Sequence, residues 1–453
     1  MSRPSDLDND PPASAALREG GGPATSTTSK ASKAASTGKV GHQSMRQVNR
    51  SVVLDLIRAT DTISRPELAR RSGLTKPTVA AIVEDLMRDD IVRELGYTDS
   101  AGAGGRPARL LELNPDAAAY LSVEFGVERT LVAVADGRGA IRSVITSAAL
   151  KDPERALAAL PELVASALET SRLPRARLQA VGASVPGLVD QTTGMCKLAP
   201  NLGWKNYPLR SELERTLRRP VVVTNITQTA AIAEGRLGAA RGVQSFVWLY
   251  LGSGVGAGIV LKGRPFTGMR GFAGELGHCR ISDKDVPCGC GKSGHLESFT
   301  SKTAVLEAAQ RAAHEHPGSR LAALAPIKEL SPLFEAARSG DEAANAVLAH
   351  LGDDIAKGVS YLVNVIDPQM VVLGGSVGTA GPALLEHVTK ALPRHALAPE
   401  AVRVVQSSLG ERAALIGSVL LAMQIAVPSY RLVAAGEGSE TPTFGAFPTQ
   451  SEP

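Results

Sequence analysis

The stretch Gly271-Phe-Ala-Gly-Glu-Leu-Gly-His278, followed by Cys288-Gly-Cys-Gly-Lys-Ser-Gly-His-Leu-Glu297, carries the densest chemistry in the chain. Of the protein's four cysteines, Cys279, Cys288 and Cys290 fall within twelve positions, and Cys196 stands apart. Such clustering points to a metal site rather than to a disulfide framework. His278, Cys288, Cys290 and His295 offer four donors of mixed nitrogen and sulfur type, the set that tetrahedral zinc prefers. A filled four-ligand site leaves no position for water, so the expected Zn2+ is structural. The competing reading is a cysteine pair in a turn without metal. The Cys-x-Cys spacing with two histidines nearby weighs against it.

Upstream lies Leu251-Gly-Ser-Gly-Val-Gly-Ala-Gly-Ile259, a glycine-rich turn directly after the apolar run Phe246-Val-Trp-Leu-Tyr250. Other short β-rich runs are Leu131-Val-Ala-Val-Ala135, Val221-Val-Val-Thr224 and Met370-Val-Val-Leu373. They alternate with Ala/Leu-rich helical stretches, which marks an α/β unit over residues 115–426. At 453 residues the chain is too long for one ordinary core. Residues 1–43 and 427–453 are rich in small and polar residues and lack apolar periodicity, so both are expected to be disordered tails. No apolar stretch is long enough to cross a bilayer, and the N-terminus lacks the apolar core of a secretion signal. The expected location is the cytoplasm, with no membrane partner.

Residues 44–114 read as a compact helical unit. A helix over 44–59 carries Val53, Leu54 and Ile57 on one face. Ser64-Arg-Pro-Glu67 has the spacing of a capping box, and Ser72-Gly73 closes a short second helix. Thr75 caps a third helix whose Val79, Ile82, Val83 and Leu86 form a buried stripe. Strands at Ile91-Val-Arg-Glu94 and Arg109-Leu-Leu-Glu-Leu113 flank Gly102-Ala-Gly-Gly-Arg-Pro107, a wing with Arg106 near its tip. This is a winged helix-turn-helix, whose third helix enters the major groove of double-stranded DNA. Thr75, Lys76 and Thr78, with Arg88 as a further candidate, are expected to face the operator, and Arg106 to reach the minor groove. The blander reading is a helical bundle used for packing. Residues 44–113 hold eleven basic and ten acidic residues, and the whole chain has a net charge of only +4, so bulk charge does not decide. The capped helix pair, the glycine turn and the arginine-tipped wing together favour DNA.

The glycine-rich turn, Gly271–His278 and Cys288–Glu297 together closely resemble the ROK family, which holds repressors, open reading frames of unknown role and sugar kinases. The likeness covers roughly residues 44–426 and includes Arg46-Gln-Val-Asn-Arg50 and the wing, as in the family's regulators. It implies an α/β fold of the two-lobed, actin-like (ribonuclease H-like) sugar-kinase type, with a cleft between lobes and final helices returning to the first lobe. It also implies a homodimer or homotetramer, which suits a palindromic operator. The family's sugar contacts fall here on Asn225, Glu275, His278 and Glu297, with Asn201 a weaker candidate. The expected effector is a sugar or sugar phosphate. The family's fourth zinc ligand is a cysteine, where this chain has His295.

Two departures from the family's kinases stand out. Their phosphate turn, Asp-x-Gly-Gly-Thr, is here Glu124-Phe-Gly-Val-Glu128. Their Asn-Asp-x-Asn stretch is here Asn225-Ile-Thr-Gln228, which puts Ile226 at the position of the catalytic aspartate. A positioned general base contributes on the order of 10² to 10⁴ in rate. The following Thr229-Ala-Ala-Ile-Ala-Glu234 keeps the family's helix pattern. The resemblance and its departures therefore imply a sugar-responsive, DNA-binding transcriptional regulator of carbohydrate-metabolism genes, of the repressor kind and without phosphotransfer. The alternatives are a bifunctional ATP-dependent sugar kinase carrying a DNA-binding domain, and a regulator that answers to a partner protein.

Overall fold

Val79, Ile82, Val83 and Leu86 are all buried against Val53, Ile57, Leu68 and Leu111 in the N-terminal core of the computed structural model, which describes residues 37–97 and 108–426. The elements are helices α1 (Thr37–Arg58), α2 (Arg65–Ser72) and α3 (Lys76–Arg88) and strands β1 (Ile63–Ser64), β2 (Val92–Tyr97) and β3 (Arg109–Leu113). The strands form an antiparallel sheet in the order β1-β3-β2. Helix α1 begins inside the stretch expected to be a disordered tail, because Thr37-Gly-Lys-Val-Gly-His42 has no apolar period to announce a helix. The Ser64 side chain accepts from the Glu67 N–H at 3.4 Å, and Gly73 takes the left-handed turn at φ 69°. Glu67 does not reach back to complete the box. It pairs with Arg70 and Arg71 of its own helix, at 2.5 and 2.6 Å.

Two further sheets share one topology. In the first lobe β4 (Ala119–Phe125), β5 (Arg129–Asp136) and β6 (Ile141–Ala148) form an antiparallel meander. Helix α4 (Pro153–Ser171) then crosses back so that β7 (Leu178–Val185) lies parallel to β4. A small sheet of β8 (Leu188–Asp190), β9 (Met195–Ala199) and β10 (Trp204–Tyr207) follows, then α5 (Leu209–Leu217). Strand β11 (Val221–Asn225) joins parallel to β7, giving the order β11-β7-β4-β5-β6. Helix α6 (Ile226–Leu237) leaves this lobe.

The second lobe repeats the plan. Strands β12 (Phe246–Leu251), β13 (Val255–Leu261) and β14 (Arg264–Phe266) are antiparallel. Helices α7 (Glu297–Thr300), α8 (Lys302–Glu315), α9 (Arg320–Ala323), α10 (Leu330–Arg338) and α11 (Glu342–Ile366) make the crossover. Strand β15 (Met370–Gly374), helices α12 (Gly375–Gly378) and α13 (Pro382–Ala391), and strand β16 (Arg403–Gln406) complete the order β14-β13-β12-β15-β16. All seven residues of β4 and all five of β15 are buried, as expected where helices cover both faces of a strand.

The closing helices are exchanged. Helix α6 packs on β12 and β13 of the second lobe, while α14 (Ala413–Ala426) packs on β4 and β7 of the first and against α6. Glycine makes this closeness possible. A Cβ on Gly417 would lie 1.8 Å from the Thr229 carbonyl oxygen, and one on Gly258 would lie 2.1 Å from that of Thr227. Among the described residues no helix is long and apolar enough to cross a membrane.

Candidate sugar cleft, metal cluster and DNA-reading helix

The segment from β14 to α7 is irregular, and its backbone hydrogen bonds fold it onto itself. The Ile281 N–H donates to the Gly294 carbonyl at 2.9 Å, and the Leu296 N–H to the Cys279 carbonyl at 2.9 Å. These bonds set His278 opposite His295. The Cys288 N–H donates to the Lys292 carbonyl at 2.7 Å and closes the turn that carries Cys288 and Cys290. The ligand atoms of His278, Cys288, Cys290 and His295 consequently lie within 4.8 Å of one another. Cys288 Sγ is 3.6 Å from His278 Nδ1, and Cys290 Sγ is 3.3 Å from His295 Nδ1. Zinc at about 2.0–2.3 Å from each donor fits such a group. Burial pushes the Cys288 thiol up to about 11 and the His295 imidazole down, and zinc would take the cysteines as thiolates and the histidines as neutral imidazoles.

Two carboxylates adjoin this cluster. Glu297, the first residue of α7, is buried. Its Oε2 accepts from the Val255 N–H at 2.9 Å, and its Oε1 from Cys288 Sγ at 3.6 Å. One side chain thus ties the glycine-rich turn to the cysteine turn. Glu275 Oε2 lies 3.9 Å from His278 Nε2, so the ring presents Nδ1 to the cysteines and Nε2 to a carboxylate. At that distance the two groups face each other without a direct hydrogen bond. Burial, and then the neighbouring Glu297 charge, push the Glu275 carboxyl up to about 7.

Asn201, in the turn between β9 and β10, belongs to the same group. A Cβ on Gly254 would sit 3.0 Å from both Asn201 Nδ2 and Glu297 Oε2. Asn225 is engaged differently. It caps α6, accepting from the Thr227 N–H at 2.7 Å and from Thr227 Oγ1 at 2.6 Å, and it donates to the Gly187 carbonyl at 2.7 Å. One amide proton of its side chain remains for a ligand. Gln191 and Gln228 form a polar link nearby that sequence reading missed. Gln191 Nε2 is 2.5 Å from Gln228 Oε1, and Gln228 Nε2 donates to the Gly271 carbonyl at 3.3 Å. Ile226, beside Asn225, packs against the apolar cluster of Ala230, Ala231, Phe246 and Trp248.

The turn after β4 is closed by the protein's own groups. Glu124 is buried, and its Oε2 has no hydrogen-bond partner. Burial raises its carboxyl to about 7, with Arg129 opposing the shift and Glu411 adding to it. Glu128 pairs with Lys302 at 2.9 Å. The Tyr250 hydroxyl lies 2.4 Å from where a Cβ on Gly252 would stand, so this ring covers the glycine-rich turn.

In the N-terminal part Thr75 caps α3 by accepting from the Thr78 N–H at 3.3 Å, and the two hydroxyls are 2.8 Å apart. Lys76 is exposed on the first turn of α3. Arg88 pairs with Asp85 at 2.9 Å. Arg106 lies outside the described residues.

Comparison with known proteins agrees with both halves of this description. A model of winged helix-turn-helix DNA-binding domains matches residues 50–93, and the ROK family model matches residues 120–425. The chain is similar to the xylose repressor of Caldicellulosiruptor bescii, at 28% identity over 86% of this chain and 99% of that protein. Its fold is similar to that of a ROK family transcriptional regulator, a homologue of the Escherichia coli MLC protein, with TM-score 0.70 and 27% identity over 86% of this chain and 98% of the other. A ROK glucokinase from Streptomyces griseus, in complex with glucose and AMPPNP, aligns with 68% of this chain and 99% of its own, at TM-score 0.62 and 30% identity. From the matched segment and the paired lobes, the chain belongs to the ROK family.

Proposed function

We propose that this protein is a sugar-responsive, DNA-binding transcriptional regulator of the repressor kind, acting on carbohydrate-metabolism genes in the cytoplasm. The observation that carries this reading is the near full-length similarity to a xylose repressor, winged domain included, whereas the glucokinase aligns with about two thirds of the chain. Glu275, His278 and Glu297, with Asn225 and Asn201, supply carboxylates, an imidazole and amides that suit the several hydroxyls of a sugar. Ile226 offers no atom that can take a proton from a sugar hydroxyl, so the reading carries no phosphotransfer. Zn2+ held by His278, Cys288, Cys290 and His295 would cross-link the loop and fix the His278 ring, a structural role. Thr75, Lys76 and Thr78 head the helix that would read the operator, with Arg106 serving the wing. A homodimer or homotetramer would match a palindromic site.

Sugar binding shifts operator affinity by as much as the sugar's preference for one arrangement of the lobes over the other. The test is calorimetry of the wild type and of Glu297→Ala against D-xylose, D-glucose, N-acetyl-D-glucosamine and their phosphates. Binding of one of these to the wild type, weakened at least tenfold by the substitution, is the expected result. Wild-type affinity in the variant, or phosphate transfer from ATP to any of the sugars, would overturn the reading.

A further inference from the structure

We propose that Arg138 positions the wing, locking it to the first lobe so that the two move as one body; the use of this lock rests on the regulator reading above. The chain passes from β3 of the wing to β4 of the lobe through residues 114–118 alone. The turn between β5 and β6 grips that passage. The Gly137 N–H donates to the Pro115 carbonyl at 2.7 Å, and Arg138 Nε donates to the Leu113 carbonyl at 3.1 Å. The Arg138 guanidinium also pairs with Glu112 of β3.

Glu112 is 6% exposed, and its other oxygen takes Arg93 of β2. A single buried carboxylate therefore joins both wing strands to the lobe. The turn itself is held by Asp136, which accepts from the Arg138 and Ala140 N–H groups at 2.9 and 3.1 Å and pairs with Arg142 at 3.0 Å. A second hold runs from Arg177, ahead of β7, to Asp90 at the end of α3, at 2.7 Å.

Strand β5 connects this joint to the cleft. It is flanked by β4 and β6, and its eight residues span about 26 Å. Just before its first residue, Glu128 pairs with Lys302 of the second lobe, whose N–H also donates to the Gly252 carbonyl at 2.7 Å. At its far end stand Asp136 and the Arg138 turn. A strand paired on both sides does not bend locally, so a displacement at the cleft arrives at the wing root. Arg138 is the group that hands it on. Without the guanidinium, Glu112 keeps only Arg93, and the wing is held by the covalent chain, the Gly137–Pro115 backbone bond and the Arg177 pair.

The test uses the full chain and the variants Arg138→Met, Glu112→Ala and Glu112→Gln. Amide hydrogen exchange is read first, because it needs no effector. In Arg138→Met the β3 amides should exchange at least tenfold faster while those of β4 keep their wild-type rates. Unchanged β3 exchange would overturn the proposal. DNA binding is read next, on a duplex selected by the wild type from a random pool, with D-xylose, D-glucose and N-acetyl-D-glucosamine as probes. Where a probe shifts the wild-type Kd by tenfold or more, Arg138→Met and Glu112→Ala should shift by less than threefold. Their sugar-free DNA affinity and their sugar affinity should stay within threefold of wild type. Glu112→Gln, whose single amide oxygen cannot accept from both arginines because its NH2 group only donates, should lose the shift much as Glu112→Ala does. A full shift in Arg138→Met would sink the lock. If no probe moves the wild type on DNA, the sugar-responsive reading fails, and exchange alone decides whether Arg138 holds the wing.

Discussion

At the scale of single residues, Glu124 is a buried carboxyl whose Oε2 lacks a partner. Its pKa in the fold, about 7, lies above the ordinary 4.5. The carboxyl therefore favours the fold fully below pH 4.5, and this contribution is lost as pH rises to about 7. Glu124→Gln removes the titration. Relative to wild type it should gain about 3 kcal/mol of stability between pH 4.5 and pH 8, as urea unfolding at the two pH values will show. A constant difference between the two proteins would refute the assignment. For the metal cluster, Cys290→Ser should abolish a one-per-chain zinc content measured by mass spectrometry. It should also lower Tm by roughly 5 °C or more, an effect that a chelator reproduces in the wild type but not in the variant. The four donors were legible in the sequence because ligand type is carried by the residue itself. The placement of Asn201 beside Gly254 was not legible, because the two are more than fifty positions apart along the chain and only the folding of the β8–β10 sheet closes that gap. The Glu128–Lys302 pair was not legible, because it is a long-range contact that no local pattern announces.

At the scale of elements, the exchange of α6 and α14 between lobes depends on glycine. Gly417→Val would drive a side chain into the Thr229 carbonyl, 1.8 Å from the Cβ position, and prise the two helices apart. A loss of about 2–3 kcal/mol in denaturant unfolding is expected, well above the cost of the same change on the exposed face of a helix. Near-wild-type stability would show that the pair tolerates separation. Helix caps and buried stripes were legible here, since Ser64, Gly73 and Thr75 act within a few residues of themselves. The start of α1 was not, because Thr37–His42 offers no periodic signal. The capping box was half legible. Its serine caps as expected, but Glu67 finds Arg70 and Arg71 closer than its own N-cap. Lys76 belongs to this scale as well, standing on the first turn of the helix proposed to enter the groove. Lys76→Ala should weaken binding to a selected duplex and reduce the slope of log K against log salt by about 1. An unaltered slope would remove Lys76 from the DNA contact.

At the scale of the whole molecule, two sheets with one strand order, β11-β7-β4-β5-β6 and β14-β13-β12-β15-β16, are joined by exchanged helices and preceded by a winged domain. Short apolar runs announced the strands but not their order, because pairing between β4 and β7 or between β12 and β15 spans long crossovers. That order was reachable only through resemblance to a family. The same architecture serves kinases and regulators, so function has to be argued from the site. Here carboxylates, an imidazole and amides gather at the cleft proposed to hold a sugar, while Ile226 lies against apolar neighbours and Glu124 is buried near the end of β4. The most direct measurement is fluorescence anisotropy of a selected duplex bound to the full chain, titrated with each sugar in the presence and absence of ATP and Mg2+, with sugar phosphate assayed in the same tubes. The account predicts that one sugar changes DNA affinity at least tenfold, equally with and without ATP, and that no sugar phosphate accumulates. Release that requires ATP, together with stoichiometric sugar phosphate, would contradict it.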